Sequence, residues 1–349
     1  MIALKNRSMV ANRCSKKSED EGIVLIVVLW IMAALAVLTL SFSHESRLEV
    51  ITAGNARSME KAYYIAKAGM ESAIYQIIQK RMTPTVQTAD GMDEPDQVDI
   101  GKITGSFDNG LWQVNVLDES GKININTVSE QQLNLLILAA GIEEPDAGIL
   151  TDSILDWRGN ADAAPRANGA KNDYYQSLNP PYLAKNGRFD AIEELLLVRG
   201  MTRDYYYGKP ERTQDGTVEY KYGLSRFFTV YTTRDQINVN HAALPVLLSI
   251  PGMMPEAAQM IYERRRIQPF RSNAEINQEV PFSIGAGVMS RLTTAQTGIF
   301  TLTAEAQEEG SRVRRVIRAV VSLDSIDMQN PYQILYWNEN VSDYEGGIS

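Results

Sequence analysis

The sequence predicts an α+β protein in which one long N-terminal helix, first apolar and then amphipathic, packs on an antiparallel sheet, with an all-helical domain inserted between the strands. Three observations carry that expectation. Residues 23–42 form an uncharged, mostly apolar run, and apolar residues recur at helical spacing beyond it to about residue 81. A leucine-rich segment introduced by an Ile-Asn-Ile/Val-Asn stretch occurs twice between strand-like stretches.

The apolar run comes first in the chain. At about 1.5 Å of rise per residue it makes a helix roughly 30 Å long, enough to cross the hydrocarbon layer of a bilayer. The preceding segment, 1–22, carries Lys5, Arg7, Arg13, Lys16 and Lys17, and positive charge ahead of a first apolar helix holds that end in the cytoplasm. A secretory signal places its small residue after the apolar core. Here Gly22 precedes it, so a cut between Gly22 and Ile23 would remove only the leader and keep 23–42 as a transmembrane helix. Next, Met59, Tyr63, Ala66, Met70, Ala73 and Ile77 recur every three or four residues with Glu60, Lys67 and Glu71 between them, which predicts an amphipathic continuation over 43–82, stopped by Pro84. Gly54 and Gly69 weaken this helix by about 1 kcal/mol each relative to Ala, and a bend at Gly54 is the alternative to one continuous rod.

Residues 83–126 read as a polar loop, with Asp90, Asp93, Glu94, Asp96 and Asp99, followed by strands. Trp112 to Val116 alternates with period two, and Phe227 to Thr232 is aromatic and β-branched. Ile299–Ala306 and Arg312–Val321 flank Glu308-Glu309-Gly310 as a β-hairpin. In that hairpin Arg312, Arg314, Arg315 and Arg318 face Glu305, Glu308 and Glu309 as cross-strand pairs. Between the strands, Ile123-Asn124-Ile125-Asn126-Thr127 returns as Ile237-Asn238-Val239-Asn240-His241, each copy leading into a leucine-rich helix, a Gly (Gly141, Gly252), a second helix and an arginine (Arg158, Arg265). A second echo links Phe189–Glu194 with Phe270–Glu275. Two helical hairpins account for these echoes. The expected boundaries are a leader 1–22, a transmembrane helix 23–42, its amphipathic continuation 43–82, strands and loop 83–126, an inserted helical domain with the first hairpin 127–226, strands 227–240, a second helix-hairpin-helix unit 241–296, a C-terminal β-hairpin 297–325 and a tail 326–349.

Composition narrows the function. The only cysteine, Cys14, lies in the leader, so the chain beyond it forms no disulfide and depends on its cores; 349 residues at 44% hydrophobic composition suffice for more than one. The net charge is -9, and loss of a leader with five basic and three acidic residues leaves -11, which argues against nucleic-acid binding. The segment Ile250-Pro251-Gly252-Met253-Met254 resembles a DNA-binding helix-hairpin-helix turn, which usually reads Pro-Gly-apolar-Gly so that backbone N–H groups approach a phosphate. Met254 fills the second glycine position, and Glu143 puts a carboxylate in the first copy where phosphate would sit. Arg264-Arg265-Arg266 reads as a solvated helix end. Catalysis is not expected, because His44 and His241 are the only histidines and neither stands in a triad or a metal-ligand spacing. Asp156, Asn160, Asp162 and Asp173, in a Gly/Ala/Asn-rich loop, offer hard oxygen ligands.

A basic leader ending in Gly22, followed by an apolar helix, resembles the signal of type IV prepilins and type II secretion pseudopilins. That likeness implies cleavage by a prepilin peptidase between Gly22 and Ile23 and N-methylation of Ile23. Most such subunits carry Glu at the fifth mature position, where it neutralises a neighbour's N-terminal ammonium. Val27 stands there, and within the family the subunit lacking this Glu is the one at the filament tip. The Leu29-Trp30 pair, Met70-Glu71, Asp118 to Asn126, Asn168-Gly169-Ala170, Tyr174-Tyr175 and Leu197 to Met201 are similar to the general secretion pathway protein K family, the large minor pseudopilins of type II secretion. The resemblance runs from Gly22 to about Val321. It implies a pseudopilin fold with inserted helix-hairpin-helix (SAM-like) units, a single-pass place in the inner membrane with the bulk periplasmic, and a complex with minor pseudopilins I and J that caps the pseudopilus tip. It also implies a possible Ca2+ at the acidic loop. A membrane-anchored DNA-uptake or type IV pilus component is the alternative, separable by binding of labelled duplex.

Overall fold

The computed structural model describes residues 19–82, 101–212, 218–280, 284–324, 330–339 and 341. Two compact units divide the chain, Met1–Glu60 and Lys61–Ser349. One helix, α1 (Glu19–Met82), contributes to both, and Gly54 lies inside it without a break, so the rod is continuous rather than divided at that glycine. In the first unit, Ile23 through Phe42 is long and apolar enough to cross a membrane, and its side chains are exposed. Met59, expected on the buried stripe, is 45% exposed. The leader's residues 1–18 and the acidic loop at 83–100 lie outside the described residues.

The second unit holds two cores. The elements after α1 are, in chain order, β1 (Lys102–Phe107), β2 (Gly110–Asp118), β3 (Ile123–Asn124), α2 (Glu130–Ala139), α3 (Asp146–Arg158), α4 (Asn172–Gln176), α5 (Arg203–Tyr207), β4 (Lys209–Arg212) and β5 (Val218–Lys221). Then come β6 (Phe228–Thr229), β7 (Ile237–Asn238), α6 (Leu244–Leu248), α7 (Pro255–Ile267), α8 (Asn273–Glu279), α9 (Ala286–Met289), β8 (Leu292–Thr293), β9 (Ile299–Glu308), β10 (Arg314–Ser322) and β11 (Gln333–Asn338). Short 3-10 turns at Glu119–Gly121, Ile192–Leu197 and Leu224–Arg226 connect some of them.

The main sheet has five antiparallel strands in the order β1-β2-β9-β10-β11. Period-two alternation along β2 turns Trp112, Val114 and Val116 toward α1, where they meet Ile65, Ala66, Met70, Ala73, Ile74 and Ile77. Thus the predicted stripe, Met59 apart, is the face that the helix buries. Trp112 fits because α1 and β1 both offer glycine at it: a Cβ on Gly69 would stand 2.8 Å from the indole, and one on Gly105 would overlap it. The hairpin β9/β10 forms as expected, with Gly310 at φ +78° in the turn. Arg314 bonds Glu305 at 2.8 Å, while Glu308 pairs with Lys61 of α1 rather than across the strands.

Two expectations need correction. The segment expected as a tail supplies a sheet strand, since Gln333–Asn338 adds β11 at the edge of the sheet, tied to the helix by Tyr332 to Glu71 (2.9 Å) and to the insert by Tyr336 to Glu193 (2.8 Å). The stretch 227–232 gives only a two-residue strand, β6, pairing parallel with β3. Its partner is a short segment a hundred residues earlier, so neither side offers length for a longer ladder. The described residues from Glu119 to Gly298, between β2 and β9, form the inserted part, with its own buried core that includes Ile125, Leu136, Leu150, Tyr175, Val239, Leu247, Ile261 and Phe270.

Candidate functional site

Inside the insert the sequence echoes are echoes of hydrogen bonding. In the first copy Asn124 accepts from the Asn126 N–H (2.8 Å), and Asn126 exchanges two bonds with the Phe189 backbone (3.0 and 2.7 Å). In the second, Asn238 accepts from the Asn240 N–H (3.0 Å), and Asn240 exchanges two with Phe270 (2.9 and 2.8 Å). Arg158 then caps the carbonyls of Ile125 and Val128, and Arg265 that of Val239. Glu194 and Glu275 each close the following turn by accepting a backbone N–H, from Asp190 and from Arg271. The mini-sheets β3–β6 and β7–β8 correspond as well. Gly141 (φ +93°) and Gly252 (φ +86°) take the left-handed turn between the paired helices α2/α3 and α6/α7, where a side chain would be strained.

The basic triplet is not a solvated helix end. Arg264 clamps Glu275 and Glu279 and stacks on Phe270, Arg265 reaches into the mini-sheet, and Arg266 is the exposed member. Two of the three cations are therefore consumed by the fold, and Met254 stands exposed where a phosphate-binding turn would have glycine.

At the joint between sheet and insert lies a buried polar cluster that sequence reasoning registered only as a likeness. Asp118 closes β2 and is 4% exposed; its Oδ1 accepts from the Ser120 N–H (2.7 Å) and the Thr297 hydroxyl (3.1 Å), while Oδ2 has no partner. Glu119, 1% exposed, pairs with Lys122 and accepts from Thr301 (2.6 Å). Burial pushes the Asp118 carboxyl up to about 6, against the pull of its hydrogen bonds. Gly121 lies against the backbone of His241, leaving no room for a Cβ. Burial, helped by Arg265, holds His241 down at about 4, so it is neutral. These residues border a cleft of about 640 Å³ between the outer sheet face and the insert, walled by Tyr206, Tyr222, Tyr262 and Tyr336. The adjacent acids Asp118-Glu119 at a strand end were the available signal for this joint.

The candidate calcium ligands do not converge. Asp156 is buried at the end of α3, where its carboxylate accepts from the Arg166 N–H (3.0 Å) beside Lys171, and it crowds Gly169 so closely that only glycine fits. Asn160, Asp162 and Asp173 are exposed. Among the described residues no group of three or more Asp, Glu, His or Cys side chains is placed to hold a metal ion. Of the processing residues, Gly22 lies within α1, and Ile23 and Val27 are 61% and 50% exposed on it.

Comparison with known proteins speaks to this same region. A family model described as type II secretion system protein K matches residues 110–207, from β2 through the joint and first hairpin to α5. The protein K of Aeromonas hydrophila is 26% identical over 209 residues, covering 53% of this chain and 60% of that protein. That of Pectobacterium carotovorum is 29% identical over 203 residues, covering 54% and 61%, and that of Pseudomonas aeruginosa is 23% identical over 281 residues, covering 75% and 77%. Over these stretches the chain is similar to type II secretion system protein K. Its match spans about three fifths of the first two relatives' length. A solved structure, the GspK-GspI-GspJ complex of the enterotoxigenic Escherichia coli type 2 secretion system, matches with a TM-score of 0.58 at 14% identity, covering 83% of this chain and 100% of the matched one, and bears out the fold. Several residues that carried the family resemblance meet at one arginine. Arg199 donates to the Gly169 carbonyl (3.0 Å), its backbone N–H bonds the Tyr175 hydroxyl (3.2 Å), and its guanidinium lies over Tyr174.

Proposed function

We propose that this chain is a protein K of type II secretion, a minor pseudopilin that caps the tip of the pseudopilus and primes its assembly. One observation carries the reading: the chain that supplies an apolar rod and a pilin-like helix-on-sheet unit also carries, between β2 and β9, a helical insert with a core of its own. A slim subunit can have further subunits stacked above it, whereas an insert of this size would obstruct the next layer, so bulk suits a terminal place. Val27 at the fifth mature position agrees, because a terminal subunit has no neighbour whose ammonium needs a carboxylate, and an unpaired one is costly in hydrocarbon.

The apolar run of α1 supports a membrane anchor, and the basic leader favours an orientation with the N-terminus cytoplasmic and the sheet and insert periplasmic. A prepilin peptidase would cut between Gly22 and Ile23 and leave a methylated Ile23. The solved structure is a GspK-GspI-GspJ complex, which supports the corresponding I and J subunits as partners here. Calcium enters only as a ligand that would displace the Arg166 N–H from Asp156, and a melting temperature raised by calcium titration would support that exchange. The decisive experiment is copurification from membranes. Tagged chain should bring down two smaller pseudopilins, and Gly22→Leu should keep the leader and lose secretion. Secretion by the uncut variant, or a tagged chain recovered alone, would overturn the assignment.

A further inference from the structure

The chain leaves the sheet at Asp118 and returns to it at Thr297 and Gly298, and both crossings pass through one buried cluster. Asp118 and Glu119 are adjacent carboxylates, both almost wholly buried, and among the described residues Lys122 is the cation paired with either. Lys122 neutralises Glu119. Among the described residues Asp118 has hydroxyl and amide donors on Oδ1 only, with Oδ2 buried and without a hydrogen-bond partner. Two buried carboxylates and one cation leave one negative charge uncompensated, and a proton is the smallest group that removes it.

We infer that Asp118 is a protonation latch of the joint: with its proton bound the insert is held firmly on the sheet, and with the proton lost a buried, unpaired carboxylate loosens the two crossings. The other charged and titratable groups bordering the cleft with Asp118 do not supply the missing positive charge. Glu193 and Glu119 are acids, Tyr231 and His241 are neutral, and neither Arg318 on β10 nor the exposed Lys221 and Arg226 is among the groups that shift Asp118. Burial is the largest influence on Asp118, and Glu119 adds to it in the same direction. The sign is fixed. A carboxyl whose folded value is about 6 against an ordinary 3.8 favours the folded state fully below about 3.8, and that advantage is lost as pH rises through about 6. The device is independent of the tip assignment, because it concerns how one part of this chain is fixed to another.

The test uses the full chain in detergent micelles. Asp118→Asn keeps the acceptor for Ser120 and Thr297 but cannot ionise. Its melting temperature relative to the native chain should rise between pH 4 and pH 7, and hydrogen exchange of the amides at 119–122 and 297–301 should speed up with pH in the native chain but not in the variant. A pH-independent difference between the two proteins would overturn the latch. Should the variant fail to fold, carbon-13 titration of the Asp118 carboxyl in the native chain decides instead: a midpoint near 6 supports the latch and one below 4.5 overturns it.

Discussion

Asn126 and Asn240 do the same work 114 positions apart, each bonding a distant phenylalanine's backbone in both directions. Removing either side chain leaves a backbone N–H and a C=O unpaired in a half-buried place, at about 1–3 kcal/mol. Asn126→Ala and Asn240→Ala should therefore lower stability to denaturant by similar amounts, and a silent variant at either site would break the equivalence. The repeat was legible in the sequence because both copies keep the same residues, whereas the bonds between Asn and Phe that it preserves appear only in the fold. The triplet at Arg264 was misread because its partners Glu275 and Glu279 are 11 and 15 residues downstream, on another helix, where periodicity gives no sign of them. His241 adds a pH dependence opposite in sign to that of Asp118. Held near 4 against an ordinary 6.5, it supports the fold fully above about 6.5, and that support is lost as pH falls toward 4. His241→Gln should flatten the acid side of the melting profile, sparing about 2 kcal/mol by pH 4.5, and a profile that keeps its slope would refute the assignment.

At the scale of elements, the contact between α1 and the sheet turns on how closely two backbones approach one indole. In the sequence, Gly54 and Gly69 look alike, each a weak point worth about 1 kcal/mol to an isolated helix. The structure separates them: nothing lies within 4 Å of a Cβ on Gly54, whereas one on Gly69 would press on Trp112 at 2.8 Å. Gly69→Ala should lower the melting temperature despite its gain in helix propensity, because overpacking a close contact costs about 1–3 kcal/mol. Gly54→Ala should not lower it. Reversed signs would mean that the helix yields at Trp112 rather than packing on it. The edge strand β11 escaped the sequence reading for a related reason. Half-exposed on both faces and bulged opposite Val320 and Val321, it lacks the clean alternation that marks β2.

For the molecule as a whole, the position of the two cores explains how a long apolar segment and a folded unit coexist in one chain. The core under the sheet begins at Ile65, with Tyr63 packed on its edge, and the insert core begins at Ile123; neither uses a residue before Lys61. The sequence showed this division through the change from unbroken apolar composition to period 3.6, but not where contact with the sheet begins, because the helix itself does not change there. A chain beginning at Gly54 keeps every buried residue of α1 that meets the sheet and about two turns to protect its first hydrogen bonds. It loses the apolar run whose side chains are all exposed. That fragment should be soluble without detergent, keep the native circular dichroism of sheet and insert, and melt within a few degrees of the full chain in micelles. Aggregation or loss of cooperative melting would show that the apolar rod contributes to folding of the head and does more than anchor it.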